Sequence, residues 1–181
     1  MNCDITILAS PRTGAPDALQ PCALWDFYGY YDLTAPFANE PSAHYAAMPA
    51  VDGGTVSQLC GKPGALVTSG PKATRFSLYV YARQQGTWME MLGVAPDDEP
   101  ALSLSPDDIA ALSPTFITAS TDDQDVPFKT SKTLSRAAPN ARMMTAYYLE
   151  HDFDRDTSNP AGAQAYAAAL AFLDAQMAAD A

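Results

Sequence analysis

The sequence predicts an α/β fold: a partial sheet of about three parallel strands with flanking helices and a helical insertion between the first and second strands. Three observations predict it. Residues 113–149 read as strand, helix, strand, with an apolar run around Phe116, Ile117 and Thr118, a helical pattern from about Lys129 to Ala138, and a second apolar run from Ala141 to Leu149. A crossover of this length makes its two strands parallel and brings both polar ends to one sheet edge, where ligands bind in such sheets. Cys22 to Tyr28 supplies an earlier strand that Gly29 breaks, and Asn159-Pro160 opens a long Ala-rich helix that can cover one sheet face.

In chain order, residues 2–9 predict a short helix and residues 11–21 a loop rich in Pro and Gly. After the first strand comes an aromatic tract, Tyr28, Tyr30 and Tyr31, which either lines a substrate pocket or packs with its hydroxyls at a wet rim. From Thr34 to Gly70 the text is loop-like, punctuated by Pro36, Pro41, Pro49, Gly53, Gly54, Gly61, Pro63 and Gly64. Residues 73–93 return to helical steps at Phe76, Tyr79, Val80, Trp88, Met91 and Leu92, which predicts two short helices broken at Gly86. Asp97 to Pro100 is an acidic linker. Ser105-Pro106-Asp107-Asp108 joins a cap, a proline at the first position and two acids in the first turn, and starts a helix that ends near Ser113.

Pro114 opens the next strand, predicted to be fully buried, and Asp122, Asp123 and Asp125 are too polar to continue it. Val126-Pro127 closes that turn, and the following strand ends at Glu150-His151-Asp152. Neighbouring strands lie only about 4.8 Å apart. Asp123 can therefore reach the His151 ring across the intervening helix, fixing its tautomer and stabilising the imidazolium formed when the other nitrogen takes a proton. The alternative is structural: Asp123 caps the helix, and His151 is a satisfied histidine at a strand end. In the loop that follows, Arg155 either pairs with nearby carboxylates or receives a substrate anion. In the last helix Tyr166, Leu170, Leu173 and Met177 recur as one apolar stripe, expected to face the core.

STDDQDVPFKTSKTL followed by LEHDFDRD resembles the closing part of the α/β-hydrolase fold, in its small esterase and lipase-like branch. There a Gly-x-x-Asp-x-x-Val-Pro turn carries the triad acid, and a later His-Asp-Phe or His-Gly-Phe carries the base. The resemblance implies Asp123 as acid and His151 as base, with Ser120 standing where the family has glycine. ALWDFYGYYDL, residues 23–33, resembles the strand before the cap region. The likeness then runs to the last helix, implying a single domain over residues 1–181 with a cap insertion at about 34–104. In that cap Trp88, Met89 and Met91 contact substrate, or else they only pack. The family's nucleophile lies in Gly-x-Ser-x-Gly, with chain order serine, acid, histidine. No such motif occurs in these 181 residues: Ser10, Ser57 and Ser69 each lack the flanking glycines, and nothing supports Cys60 as a substitute. Residues 1–10 resemble the helix that follows the nucleophile turn. The implied protein is a carboxylester hydrolase-like half that supplies acid and base to a serine from elsewhere; the rival is a non-catalytic remnant acting as a binding or assembly module. Its implied partners are a small acyl ester, once complemented, and a complementary N-terminal half or a second copy of the chain.

Composition bounds the rest. A content of 48% hydrophobic residues excludes wholesale disorder, and a net charge of −11 argues against nucleic-acid phosphates and anionic membranes as partners. Cys3, Cys22 and Cys60 are odd in number and far apart, which predicts reduced thiols and a cytoplasmic location. With only His44 and His151 and no paired ligand spacing, no metal and no cofactor are expected. Asp4 interrupts the first apolar run, so no signal peptide is read there, and no run reaches the roughly 18 residues of a membrane span.

Overall fold

The computed structural model describes residues 21–60, 71–93 and 102–179. In chain order the elements are β1 (Leu24–Phe27), α1 (Pro36–Asn39), α2 (Ala43–Ala46), α3 (Gly53–Cys60), α4 (Lys72–Gln85), α5 (Trp88–Met91), α6 (Pro106–Ala110), β2 (Thr115–Ser120), α7 (Phe128–Ala137), β3 (Ala141–Ala146) and α8 (Pro160–Ala179), with a 3-10 turn at Phe153–Arg155. The expected helix at 2–9, most of the loop at 11–21, Ser69 and the acidic linker at 97–100 lie outside the described residues. The chain divides into two compact units: residues 1–32 with 100–181, and Leu33–Glu99.

The first unit is the predicted α/β layer. Its sheet has the order β1-β2-β3 with both pairings parallel, Leu24 opposite Thr115 and Thr115 opposite Ala141. Every residue of β2 is buried, as a central parallel strand requires. α7 and α8 both pack against β2 and β3. Leu134 of α7 is wholly buried, and Phe116 forms a core cluster with Ala169 and Phe172 of α8. Pro127 precedes α7 and Asn159 caps α8, its side-chain oxygen accepting the Ala161 N–H at 3.0 Å. Ser105 and Asp108 exchange hydrogen bonds in a capping box that starts α6, which stops at Ala110, short of the expected Ser113.

One expectation is overturned in α8. Tyr166, Leu170 and Met177 are 46%, 52% and 58% exposed, and the buried face is Gly162, Ala165, Ala169 and Phe172. Small side chains let the helix come close: a Cβ on Gly162 would stand 2.8 Å from the Asp154 Cα. Tyr166 lies flat against Phe27 of β1, ring centroids 5.0 Å apart, instead of entering the core. The strands also end early. β3 stops at Ala146, leaving Tyr147 and Tyr148 largely exposed, and the turn after β1 falls on Tyr28 (φ +47°), one residue before Gly29.

The unit Leu33–Glu99 is helical. Gly86 ends α4 in the left-handed conformation (φ +69°), giving the expected break before α5. The stretch read as loop contains the eight-residue α3: Asp52 accepts the Thr55 N–H at 2.9 Å, so Gly53-Gly54 stands in a capped first turn and does not interrupt the chain. Arg83 is buried among the rings of Tyr45, Tyr79 and Trp88, 5.1, 5.6 and 5.9 Å from their centres. Trp88 is one wall of this cluster, and Phe76 is half-exposed.

Candidate functional site

The site is built where β2 and β3 end. Ser120 closes β2, and its hydroxyl donates to the Leu149 carbonyl and accepts the Leu149 N–H at 2.9 Å. A glycine could make neither bond. This serine ties the Asp123 turn to the segment that delivers His151, a role its side chain hid in the sequence. Ser120 is also absent from the positive-φ positions, so no glycine is required there.

Asp123 uses its two oxygens separately. Oδ1 accepts the N–H groups of Asp125 and Val126, both at 2.8 Å, and folds the turn on itself. Oδ2 lies 2.9 Å from Nδ1 of His151. The Asp123 side chain is 1% exposed and the His151 side chain 15% exposed, so one partner is dry and the other reaches the surface. Both residues singled out in the sequence are thus brought together, 28 positions apart. Asp122 faces away, accepting from Gln124. Asp125 does not: its Oδ2 is 3.7 Å from Nε2 of His151, and Oδ1 of Asp152 is 3.8 Å from the same nitrogen.

The tyrosine tract forms the wall of this site. Tyr28, Tyr30 and Tyr31 donate their hydroxyls to Asp154 (2.6 Å), Asp125 (3.1 Å) and the Thr130 carbonyl (2.6 Å). Their hydroxyls therefore end on protein acceptors and not at a wet rim. The Tyr28 ring meets the His151 ring at a centroid distance of 4.5 Å, 64° between planes, and packs on Phe153 as well. Asp154 takes a second tyrosine hydroxyl, from Tyr166 at 2.6 Å, and so links the His151 loop to both β1 and α8. Tyr28 belongs to the aromatic tract marked in the sequence, whereas Asp154 carried no sequence signal beyond its residue type. Arg155 is exposed, with Asp152 3.8 Å away.

Charge follows this geometry. Burial works against the charged His151 ring, but the hydrogen bond and charge of Asp123, then the charges of Asp125 and Asp152, outweigh it and raise the pKa above the usual histidine range. Burial would raise Asp154, yet the hydroxyls of Tyr166 and Tyr28 hold it below the usual carboxylate range. Burial first, and Asp154 second, push the Tyr28 hydroxyl far up. Among the described residues no hydroxyl or thiol is hydrogen-bonded to Nε2 of His151, no cluster of three or more His, Cys, Asp or Glu is placed to hold a metal ion, and no helix is long and apolar enough to cross a membrane.

No family model matches the sequence, and no curated protein matches it. Solved structures do. A protein of unknown function from Staphylococcus aureus subsp. aureus Mu50 is 27% identical with a TM-score of 0.80, over 94% of this chain and 60% of that one. An alpha/beta hydrolase superfamily protein from Enterococcus faecalis is 30% identical with a TM-score of 0.65, over 88% of this chain and 55% of that one. A serine hydrolase from Cycloclasticus zankles, at 15% identity and a TM-score of 0.52, shares the fold over 95% of this chain and 61% of its own. The chain thus spans 55–61% of the length of these proteins.

Proposed function

The sheet and its flanking helices are those of the α/β-hydrolase fold, and on that frame we propose that this chain supplies the acid and the base of a Ser-His-Asp triad in a carboxylester hydrolase. The observation that carries the reading is the 2.9 Å contact between Asp123 Oδ2 and His151 Nδ1 at the C-terminal ends of adjacent parallel strands. Ionised Asp123 accepts the Nδ1 proton, which leaves Nε2 with the lone pair that a general base needs. The nucleophile is a serine from outside residues 1–181. It loses its proton to Nε2 as it attacks an ester carbonyl; the imidazolium, steadied by Asp123, then protonates the departing alcohol, and a water repeats the cycle on the acyl-enzyme. The complementary partner is a segment bearing Gly-x-Ser-x-Gly on its strand-to-helix turn, and the free thiols of Cys22 and Cys60 suit a reducing cytoplasm.

A second reading is a non-catalytic assembly module. It draws on the carboxylates of Asp125 and Asp152, which face Nε2 where a hydroxyl would stand in a working triad. Co-expression decides between them. The chain alone should not hydrolyse a short-chain ester; with a segment carrying Gly-x-Ser-x-Gly and its preceding strand, hydrolysis should appear, and His151→Ala should reduce it by about three orders of magnitude or more. A stable complex without turnover would leave only the assembly reading. Hydrolysis by the chain unaided would instead point to a nucleophile among its own residues.

A further inference from the structure

Two carboxylates on opposite sides of one imidazole are more than a triad needs. Asp123 holds Nδ1 at 2.9 Å, and Oδ2 of Asp125 stands 3.7 Å from Nε2, the nitrogen that must accept the nucleophile's proton. The position of Asp125 is not accidental to the turn. Its N–H is fixed by Asp123 Oδ1, and the same Oδ2 that faces Nε2 receives the hydroxyl of Tyr30, a residue buried to 6% exposure and 95 positions away. We propose that Asp125, held by Tyr30, is a second positioning carboxylate for His151: it acts on the Nε2 face and favours the charged ring until a hydroxyl takes that face.

The proposal rests on the triad reading for its catalytic meaning but not for its chemistry. The groups facing His151 are Asp123 and Asp125 from the turn after β2, Asp152 and Asp154 from its own loop, and Tyr28 from the end of β1, whose hydroxyl is committed to Asp154. Arg155, exposed, stands 3.8 Å from Asp152 and offsets that carboxylate, which leaves Asp125 as the better-shielded charge on Nε2 of the two. A carboxylate within about 4–6 Å favours the charged imidazole. In a complete enzyme the consequence is an acid limb displaced to higher pH, because base catalysis begins only when the ring sheds that proton. The Nε2 proton leaves to solvent before the serine hydroxyl takes the place of Asp125 there, and Asp125 keeps the bond it already accepts from Tyr30.

The test needs neither serine nor substrate. The chain has two histidines, so a His44→Ala variant assigns the ring signals in a proton NMR titration. Asp125→Asn should lower the His151 midpoint by about one pH unit, and Tyr30→Phe should lower it in the same direction by less. In the complemented enzyme, the acid limb of kcat/KM should move down by the same amount. A midpoint unchanged in Asp125→Asn overturns the proposal; should that variant fail to fold, an unchanged midpoint in Tyr30→Phe does so. A shifted midpoint beside an inactive complemented complex would retire the hydrolase reading alone, and a fixed midpoint beside an active one would retire this proposal alone.

Discussion

At the scale of the residue, His151 carries a pH dependence that is independent of any reaction. Its folded pKa is raised above the unfolded value of about 6.5. The stabilisation is therefore fully present below the unfolded pKa and is lost as pH rises through the folded one. His151→Asn should lower the urea midpoint more at pH 5.5 than at pH 8.5; an equal loss at both would show that the carboxylates do not favour the charged ring. The Asp123 and His151 pair was legible in the sequence because the crossover fixes which ends meet and the resemblance, aligned on Val126-Pro127, sets the register. The bonds of Ser120, Tyr28 and Asp154 were not, since each acts through one hydroxyl or carboxylate on a distant partner: Leu149 for Ser120, Asp154 for Tyr28, Tyr166 for Asp154. Nothing in the type of a serine or tyrosine announces which backbone or side chain it will find 29 or 126 positions away.

At the scale of the element, β2, α7 and β3 were readable because each is a continuous local pattern with a proline or polar stop. The orientation of α8 was not. Large apolar residues at Tyr166, Leu170 and Met177 gave the stronger periodic signal, while the true contact face consists of Gly162, Ala165, Ala169 and a single Phe172, residues that weigh little on a hydrophobic count. Close approach decides it, because a helix seated on alanines brings its backbone nearer the sheet than one seated on leucines. Gly162→Ala tests this directly. Helix propensity alone favours alanine by about 1 kcal/mol, whereas a Cβ placed 2.8 Å from the Asp154 Cα meets backbone and costs about 1–3 kcal/mol of overpacking. The variant should be less stable in urea titration and should displace the loop that bears His151; a gain in stability would refute the close seating.

At the scale of the whole molecule, β1 pairs only with β2 among the described residues, its Trp25 and Phe27 side chains pack on a sheet face against the α8 cluster, and Asp26, the sole charge in the strand, is buried, so no exposed charge guards the other edge. An edge so weakly guarded invites pairing with another chain. Light scattering should find the chain as dimers or larger species, or in complex with a segment carrying the nucleophile strand. Because every copy carries a net charge of −11, self-association should strengthen as salt screens the repulsion. A monodisperse monomer at high salt, unaltered by the added segment, would count against the edge as an interface. The left-handed backbone of Tyr28 carries a strain that its buried ring outweighs. A tyrosine with φ +47° sits in a conformation that costs about 1 kcal/mol or more, and glycine would relieve it. Glycine, however, would also remove the ring beside His151 and the hydroxyl on Asp154. The ring is buried with Ala119, Ala146, Phe153 and Ala165, and emptying such a site costs about 3–5 kcal/mol, so Tyr28→Gly should lower the urea midpoint despite the relieved backbone.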